Sequence, residues 1–219
     1  MTAVAIDGPA GAGKSTIARA ISREMSFVYV DTGALYRAIG LYMIKNRIDG
    51  DESIVSALNK VKVDLKFVDN EQEIFLCGEE VSGEIRTPEV SMMASRVSAI
   101  LAVRKFLLDL QRDLAKKNNV IMDGRDIGTV ILPDADVKIF LTASLEKRAE
   151  RRYKEMLEKG LNVTYDGILS DIKKRDYDDS HRKVAPLKPA ADAILVDTSD
   201  YSLEESIKLV LDVIRKKLI

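Results

Sequence analysis

The 219-residue chain has a single cysteine, Cys77, so it cannot form a disulfide bond within itself. This composition is typical of proteins kept in a reducing compartment, and we expect a cytoplasmic location. We interpret Cys77 as an ordinary small apolar residue. No apolar run approaches the length of a membrane-spanning helix, and we expect no signal sequence because an apolar strand begins at Ala3.

The chain also lacks an excess of charge of either sign. Its 34 Lys and Arg residues are balanced by 35 Asp and Glu residues, which gives a formal net charge of -1. Binders of nucleic acid or of membrane surfaces usually carry a basic excess, so only a local cluster could support such a role. Hydrophobic residues make up 46% of the sequence and charged residues 32%, which together with the length suits one sizeable α/β domain.

A phosphate-binding pattern stands near the start of the chain. Residues 8–16 read Gly-Pro-Ala-Gly-Ala-Gly-Lys-Ser-Thr and fit the pattern G-x-x-x-x-G-K-[ST]. Glycines let backbone N–H groups curl around phosphate oxygens, Lys14 adds a full positive charge, and Ser15 can offer its hydroxyl oxygen to Mg²⁺. An apolar run before the loop and a helical pattern after it predict the strand, loop and helix that this site requires. The residues expected to contact ATP here are Gly8, Pro9, Ala10, Gly11, Ala12, Gly13, Lys14, Ser15 and Thr16.

Further buried strands are predicted at residues 27–30, 120–122, 136–141 and 193–196, with helical patterns between them. This alternation predicts a three-layer α/β fold of the P-loop type, with a five-stranded parallel sheet.

Two of these strands end in an aspartate, Asp31 and Asp123. One of the two carboxylates is expected to help hold Mg²⁺ or its waters, and the pattern leaves open which of them does so. Thr32 is placed to cap the helix that follows. Arg37, early in that helix, could bind an anion or lie on a solvated surface.

The periodicity changes between about residues 49 and 88. Residues 61–67 and 73–77 alternate as strands do, with a turn at Asp69 and Asn70, and a short third strand is expected around Val81. An antiparallel meander inside an alternating α/β chain predicts an inserted subdomain.

A charged, mostly helical stretch follows at about residues 145–183 and predicts a lid. Arg148, Arg151 and Arg152 share one helical face, and the spacing of Arg175, Asp179 and Arg182 predicts a second face. Phosphoryl transfer needs converging cations and the exclusion of water, and an arginine-bearing lid supplies both. The structural alternative is a solvated hairpin laced with salt bridges. The core would then comprise residues 1–48, 89–144 and 184–219.

Two other helical patterns complete the chain. A long pattern runs from Pro88 to Asn118 and carries Ser95 and Arg104, either on one helix or on both sides of a break. The last helix is expected to bury one face, formed by Leu203, Ile207, Leu211 and Ile214.

Five stretches of the sequence together closely resemble bacterial cytidylate kinases. They are residues 6–15, 31–37, 81–86, 123–129 and 184–187, so the resemblance runs from end to end of the chain. It implies transfer of the γ-phosphoryl group of ATP to CMP or dCMP, with Mg²⁺, in a monomeric cytoplasmic enzyme that binds neither nucleic acid nor membrane.

The resemblance also implies roles for individual residues. The implied catalytic cations are Lys14, Arg125, Arg148, Arg152 and Arg175, and Arg151 would contact ATP. The implied CMP-binding residues are Thr32, Arg37, Ser95, Arg104, Arg125, Asp126, Arg175, Asp179 and Arg182. Ser15 and Asp123 would hold the metal, directly or through water.

The implied base contacts make chemical sense. Cytosine presents an amine donor where uracil presents a carbonyl acceptor, so a carboxylate such as Asp126 favours cytosine, and Arg104 can donate to the ring. The acceptor phosphate is already anionic, so no general base is needed, and His181 is expected to be a solvated lid residue.

Other functions remain open on the residues alone. They are a kinase for UMP or AMP, a slow nucleotide-dependent switch, and nucleic-acid binding by residues 148–183.

Overall fold

The central strand of the large sheet is β1, at Ala3–Asp7, in a computed structural model that describes residues 1–68 and 71–218. β1 pairs in parallel with β6 (Val120–Gly124) on one side and β7 (Val137–Thr142) on the other. The edges are β2 (Val28–Asp31), beside β6, and β8 (Ile194–Asp197), beside β7. The predicted five-stranded parallel sheet is therefore confirmed, with small shifts of the strand ends.

Helices cover both faces of this sheet. Their bounds are Lys14–Met25 (α1), Thr32–Lys45 (α2), Asp51–Ala57 (α3), Pro88–Ser98 (α4), Leu101–Lys117 (α5), Leu145–Glu158 (α6), Tyr165–His181 (α7) and Leu203–Leu218 (α8). Alternate strand side chains pack against α1 and α8 on one face, for example Ile139 against Ile17 and Ile214. The opposite face packs Met122 against Ala115 of α5. Within residues 1–68 and 71–218, no helix is both long and apolar enough to cross a membrane.

A small antiparallel sheet packs against α2. Its strands are β3 (Val63–Val68), β4 (Glu71–Leu76) and β5 (Glu79–Glu80). The third strand thus lies before Val81, not around it, because the chain enters a turn of 3₁₀ helix soon after β5. The predicted turn at Asp69 and Asn70 lies outside the described residues.

Two smaller expectations are wrong. Cys77 is an exposed residue with φ 51° in the turn before β5, not a packed apolar residue. Leu203 is exposed at the start of α8, where the apolar face has not yet reached the sheet. Of the two arrangements left open for the pattern from Pro88, the structure has the break: the extended backbone of Ile100 separates α4 from α5. Ser95 therefore lies on α4 and Arg104 on α5.

The phosphate-binding loop joins β1 to α1 and lies against the end of β7. A Cβ atom built on Gly8 would stand 1.9 Å from the carbonyl oxygen of Leu141. Only glycine allows this approach, so the first glycine of the pattern fastens the loop to the sheet.

Two leucines on neighbouring strands test the position of the core. Leu141 of β7 is fully buried, whereas Leu195 of β8 is 66% exposed. Because a cavity forms only in the core, we expect Leu141→Ala to lower the free energy of unfolding by about 2 to 5 kcal/mol. Leu195→Ala, the matched control, should change it by less than about 0.5 kcal/mol. Urea denaturation measures both values, and equal losses would contradict the packing.

Candidate active site

The phosphate-binding loop has free backbone donors and a buried cation. Among the described residues, the N–H groups of Gly11, Ala12 and Gly13 donate to no protein acceptor, and the first turn of α1 adds further free N–H groups. Lys14 is buried and donates from Nζ to the carbonyl oxygen of Pro9 at 2.8 Å. Burial, and then Arg125, lower the pKa of Lys14 to about 7. An anion bound in the loop would restore the charge of this ammonium group.

Asp123 lies beside the loop at the end of β6. Its Oδ2 accepts from Ser15 Oγ at 2.8 Å, and its Oδ1 accepts from the hydroxyl of Tyr29 at 3.0 Å. Burial, and then the nearby Asp31, raise the pKa of Asp123 to about 6. A hydroxyl and a carboxylate oxygen this close to the loop are ligands that suit Mg²⁺.

Asp31 is engaged elsewhere. Its Oδ2 accepts from Arg37 Nη2 at 2.6 Å, and its Oδ1 accepts from the N–H of Ala34 at 3.0 Å. Burial acts to raise its pKa, but Arg37 outweighs that effect and holds the pKa below its usual value. Asp31, not Thr32, therefore caps α2, which corrects the sequence expectation. The hydroxyl of Thr32 instead donates to the carbonyl oxygen of Asp123 at 2.8 Å.

The residues that hold a divalent cation need not form a cage of their own. In the part of the chain that the structure describes, no group of three or more His, Cys, Asp or Glu side chains converges on one point. Mg²⁺ at a nucleotide takes most ligands from phosphates and water, with one or two from the protein. Ser15 and Asp123 fit that requirement.

A buried ion pair joins α5 to the segment that follows β6. Arg104 and Asp126 are both buried and joined through Arg104 Nη2 and Asp126 Oδ2, and Arg104 Nη1 also donates to Ser98 O at 3.1 Å. The guanidinium of Arg104 lies 5.5 Å from the centre of the Tyr36 ring. Arg182 Nη2 stands 3.6 Å from Asp126 Oδ1. Ser95 lies half-buried on α4, where its carbonyl oxygen accepts from Ser98 Oγ.

A cluster of arginines surrounds Asp179. Arg125 Nε donates to Asp179 Oδ2 at 2.7 Å, and Arg182 Nη1 stands 3.8 Å from Asp179 Oδ1. α7 ends at His181, so Arg182 follows the helix with an extended backbone and does not lie on its face as expected. Burial, and then Arg125, lower the pKa of Arg175 to about 10, with smaller contributions from Arg37. The Nε atoms of Arg37 and Arg175 are buried and lack a hydrogen-bond partner among the described residues.

The three arginines of α6 diverge. Arg148 is buried and donates to the carbonyl oxygens of Ala143 and Ala10, each at 2.9 Å. Arg151 donates to Thr198 O at 2.5 Å, after β8. Arg152 pairs with Glu155 at 2.7 Å. The three arginines thus contact different parts of the chain, and their contacts with ATP stay predictions.

The sequence analysis missed Asp7 and Tyr29. Asp7, the last residue of β1, accepts from the N–H groups of Ile127 and Gly128 at 2.7 and 2.8 Å. Burial is the main cause that raises its pKa to about 6. This carboxylate ties the phosphate-binding loop to the segment that carries Asp126. A charged residue at the end of an apolar strand was the signal that could have identified it.

Comparison with known proteins gives one consistent result. A family model described as Cytidylate kinase matches residues 4–216. A curated cytidylate kinase of Thermosipho melanesiensis is 49% identical over 214 residues, which cover 98% of this chain and 97% of that protein. A cytidylate kinase of Caldicellulosiruptor bescii is 50% identical over 215 residues, covering 97% and 95%. One from Caldanaerobacter subterraneus subsp. tengcongensis is 51% identical over 215 residues, covering 97% and 94%.

The raised pKa of Asp123 predicts a pH-dependent stability. A carboxyl group whose pKa is higher in the folded than in the unfolded chain stabilises the fold while it is protonated. The contribution of Asp123 is complete below pH 3.8 and is lost as the pH rises through about 6. Asp123→Asn removes the buried charge, so we expect it to raise the free energy of unfolding by about 1 to 3 kcal/mol near pH 8. This gain should shrink as the pH falls towards about 4.

Urea denaturation at both pH values measures this difference. Asp109→Asn, at an exposed position of α5, is the matched control and should give no pH-dependent change. An Asp123→Asn effect of the same size at both pH values would contradict the assigned pKa.

Proposed function

The chain belongs to the cytidylate kinase family, and we propose that its site transfers the γ-phosphoryl group of ATP directly to CMP or dCMP, giving ADP and CDP or dCDP. The proposal includes Mg²⁺ as cofactor, a monomeric state and a cytoplasmic location. It also assigns acceptor binding to an insert at about residues 49–88 and the role of a lid to about residues 145–183.

The observation that carries this proposal is the uncompensated positive charge around Arg175. Its buried Nε has no hydrogen-bond partner among the residues described, and burial, followed by Arg125, lowers its pKa. Burial, and then Arg125, also lower the pKa of Lys14, with a smaller contribution from Arg175. Cations held this close repel one another, and bound anions would relieve that repulsion. Two nucleotides that meet at their phosphates supply such anions.

The donor half of the site is the phosphate-binding loop. Lys14 and the free N–H groups of Gly11, Ala12 and Gly13 would hold the β- and γ-phosphates of ATP. Ser15 and Asp123 would hold Mg²⁺, directly or through water. When bound, the cation neutralises phosphate charge.

The acceptor half would hold the phosphate of CMP through Arg37, Arg125 and Arg175. An oxygen of that phosphate is the nucleophile and is already anionic near neutral pH, so positioning and charge stabilisation suffice without a general base. His181 is exposed and stacks on Tyr177 with ring centres 4.0 Å apart, which fits a residue outside the reaction.

Asp126 and Arg104 would select the base. Asp126 can accept from the exocyclic amine of cytosine, and it opposes the carbonyl oxygen that uracil presents there. Both side chains are buried, so a wrong base leaves polar groups without partners and binds poorly. Ser95, on the neighbouring helix, would add a contact to the same base.

The function is tested by a coupled assay that offers ATP with CMP, dCMP, UMP, AMP and GMP in turn. We expect the highest kcat/KM with CMP or dCMP, because cytosine presents an amine donor to Asp126 and ring acceptors to Arg104, whereas uracil presents a carbonyl oxygen where the amine would be. A higher kcat/KM with UMP or AMP would show that the proposed acceptor is wrong. ATP hydrolysis without transfer to any monophosphate would favour a nucleotide-dependent switch.

The base selection is tested by Asp126→Asn, since Asn keeps the volume and leaves Arg104 an oxygen to contact. We expect the ratio of kcat/KM for CMP to that for UMP to fall by about tenfold or more, because an amide can donate to uracil. Asp134→Asn, at an exposed position before β7, is the control. A ratio equal to that of the parent enzyme would overturn the assignment of Asp126.

A further inference from the structure

The phosphate-binding loop is held from outside by two side chains that act on one residue, Ala10. Asp176 Oδ1 accepts from the N–H of Ala10 at 3.2 Å, and Arg148 Nη1 donates to its carbonyl oxygen at 2.9 Å. The same Arg148 nitrogen donates to Asp176 Oδ2 at 2.5 Å. Both backbone polar groups of Ala10 are therefore occupied by a linked pair of side chains.

The two side chains come from the two helices of the charged hairpin. Arg148 lies on α6 and Asp176 on α7, and these helices pack together through Ala149, Ile168 and Ile172. Arg148 Nε also donates to Ala143 O at 2.9 Å, which fixes the guanidinium at the end of β7. The hydrogen bonds of Arg148 and Asp176 to Ala10 thus connect the phosphate-binding loop to the hairpin.

The pair leaves the N–H groups of residues 11–13 free to donate to a bound phosphate. Gly11, Ala12 and Gly13, the next three residues, have N–H groups without protein acceptors among the described residues. The opposite charges of Asp176 and Arg148 also balance, so the carboxylate adds no net negative charge beside a bound triphosphate. The side chains are 22% and 8% exposed, so solvent weakens their interaction less than on an open surface.

We propose that Asp176 is a positioning residue for ATP. Together with Arg148 it forms a clamp on Ala10, which couples the α6–α7 hairpin to the shape of the phosphate-binding loop. When the hairpin lies against the loop, the clamp holds Ala10 in the orientation that leaves the N–H groups of residues 11–13 free for phosphate. The inference rests on the proposed function in taking ATP as the ligand of this loop.

Substitutions of Asp176 test the clamp. Asp176→Ala removes the acceptor of the Ala10 N–H, and we expect the KM for ATP and the Kd for a non-hydrolysable ATP analogue with Mg²⁺ to rise about tenfold or more. The KM for CMP should stay within about twofold, because the described contacts of the Asp176 carboxylate are with Ala10 and Arg148, and neither residue is proposed to hold CMP. Asp176→Asn keeps an oxygen that can accept from Ala10 and should give a smaller rise. Asp178→Ala, at an exposed position of α7, is the matched control and should match the parent.

Three results would overturn the proposal. They are an Asp176→Ala variant no different from Asp178→Ala towards ATP, a rise in KM for CMP as large as that for ATP, and an Asn variant no better than the Ala variant. Thermal unfolding of each variant identifies losses caused by misfolding, and if Asp176→Ala does not fold, the comparison of Asp176→Asn with Asp178→Ala decides.

The Kd for the ATP analogue is measured by calorimetry without CMP, so it does not depend on the identity of the acceptor. If the parent enzyme does not phosphorylate CMP but the Asp176→Ala variant binds ATP more weakly than the parent, the proposed acceptor is refuted and the clamp is retained. If the parent enzyme phosphorylates CMP but the Asp176→Ala variant keeps the ATP affinity of the parent, the proposed acceptor is supported and the clamp is refuted.

Discussion

The parallel register of β1 with β6 is the constraint on which the site depends. It places Ile6 beside Asp123 and Asp7 beside Gly124, so the phosphate-binding loop and residues 125 and 126 leave the sheet at the same edge. Asp7 then fastens the two together through the N–H groups of Ile127 and Gly128. Because carboxyl ends of parallel strands share an edge, one strand pair brings the phosphate-binding loop next to residues 125 and 126.

Charge balance explains how so many arginines fold beside one another. Buried or half-buried carboxylates neutralise most of them: Asp31 with Arg37, Asp126 with Arg104, Asp179 with Arg125, and Asp176 with Arg148. These pairs hold each guanidinium in place before a substrate arrives, and such preorganisation favours phosphoryl transfer. Burial, and then Arg125, lower the pKa of both Arg175 and Lys14, and neither side chain forms a salt bridge with a carboxylate among the described residues. The uncompensated charge is thus concentrated where the two nucleotides would meet at their phosphates.

Much of the fold and part of the site could be predicted because they depend on local pattern. The loop glycines, Lys14 and Ser15 follow one another in sequence, and the strands are short apolar runs with clear ends. The errors concern positions whose environment is set by distant residues or by backbone geometry. The capping of α2 by Asp31 and not by Thr32 depends on the Asp123 carbonyl, 91 residues away in sequence, which takes the hydroxyl of Thr32. The exposure of Cys77 depends on the left-handed turn that reverses the chain before β5.

By itself, the sequence determined the alternating α/β order, the phosphate-binding loop and the set of arginines and aspartates available to the site, because spacing along the chain encodes helices, strands and loops. Its resemblance to a known family added the roles. Only the tertiary structure decided which charges pair. In the folded protein Asp31 pairs with Arg37, and Asp123 accepts from Ser15. The arginines of α6 contact different parts of the chain, and Asp176 accepts from the N–H of Ala10. Such pairings join residues far apart in the chain, and the sequence pattern carries no signal for distances across the fold.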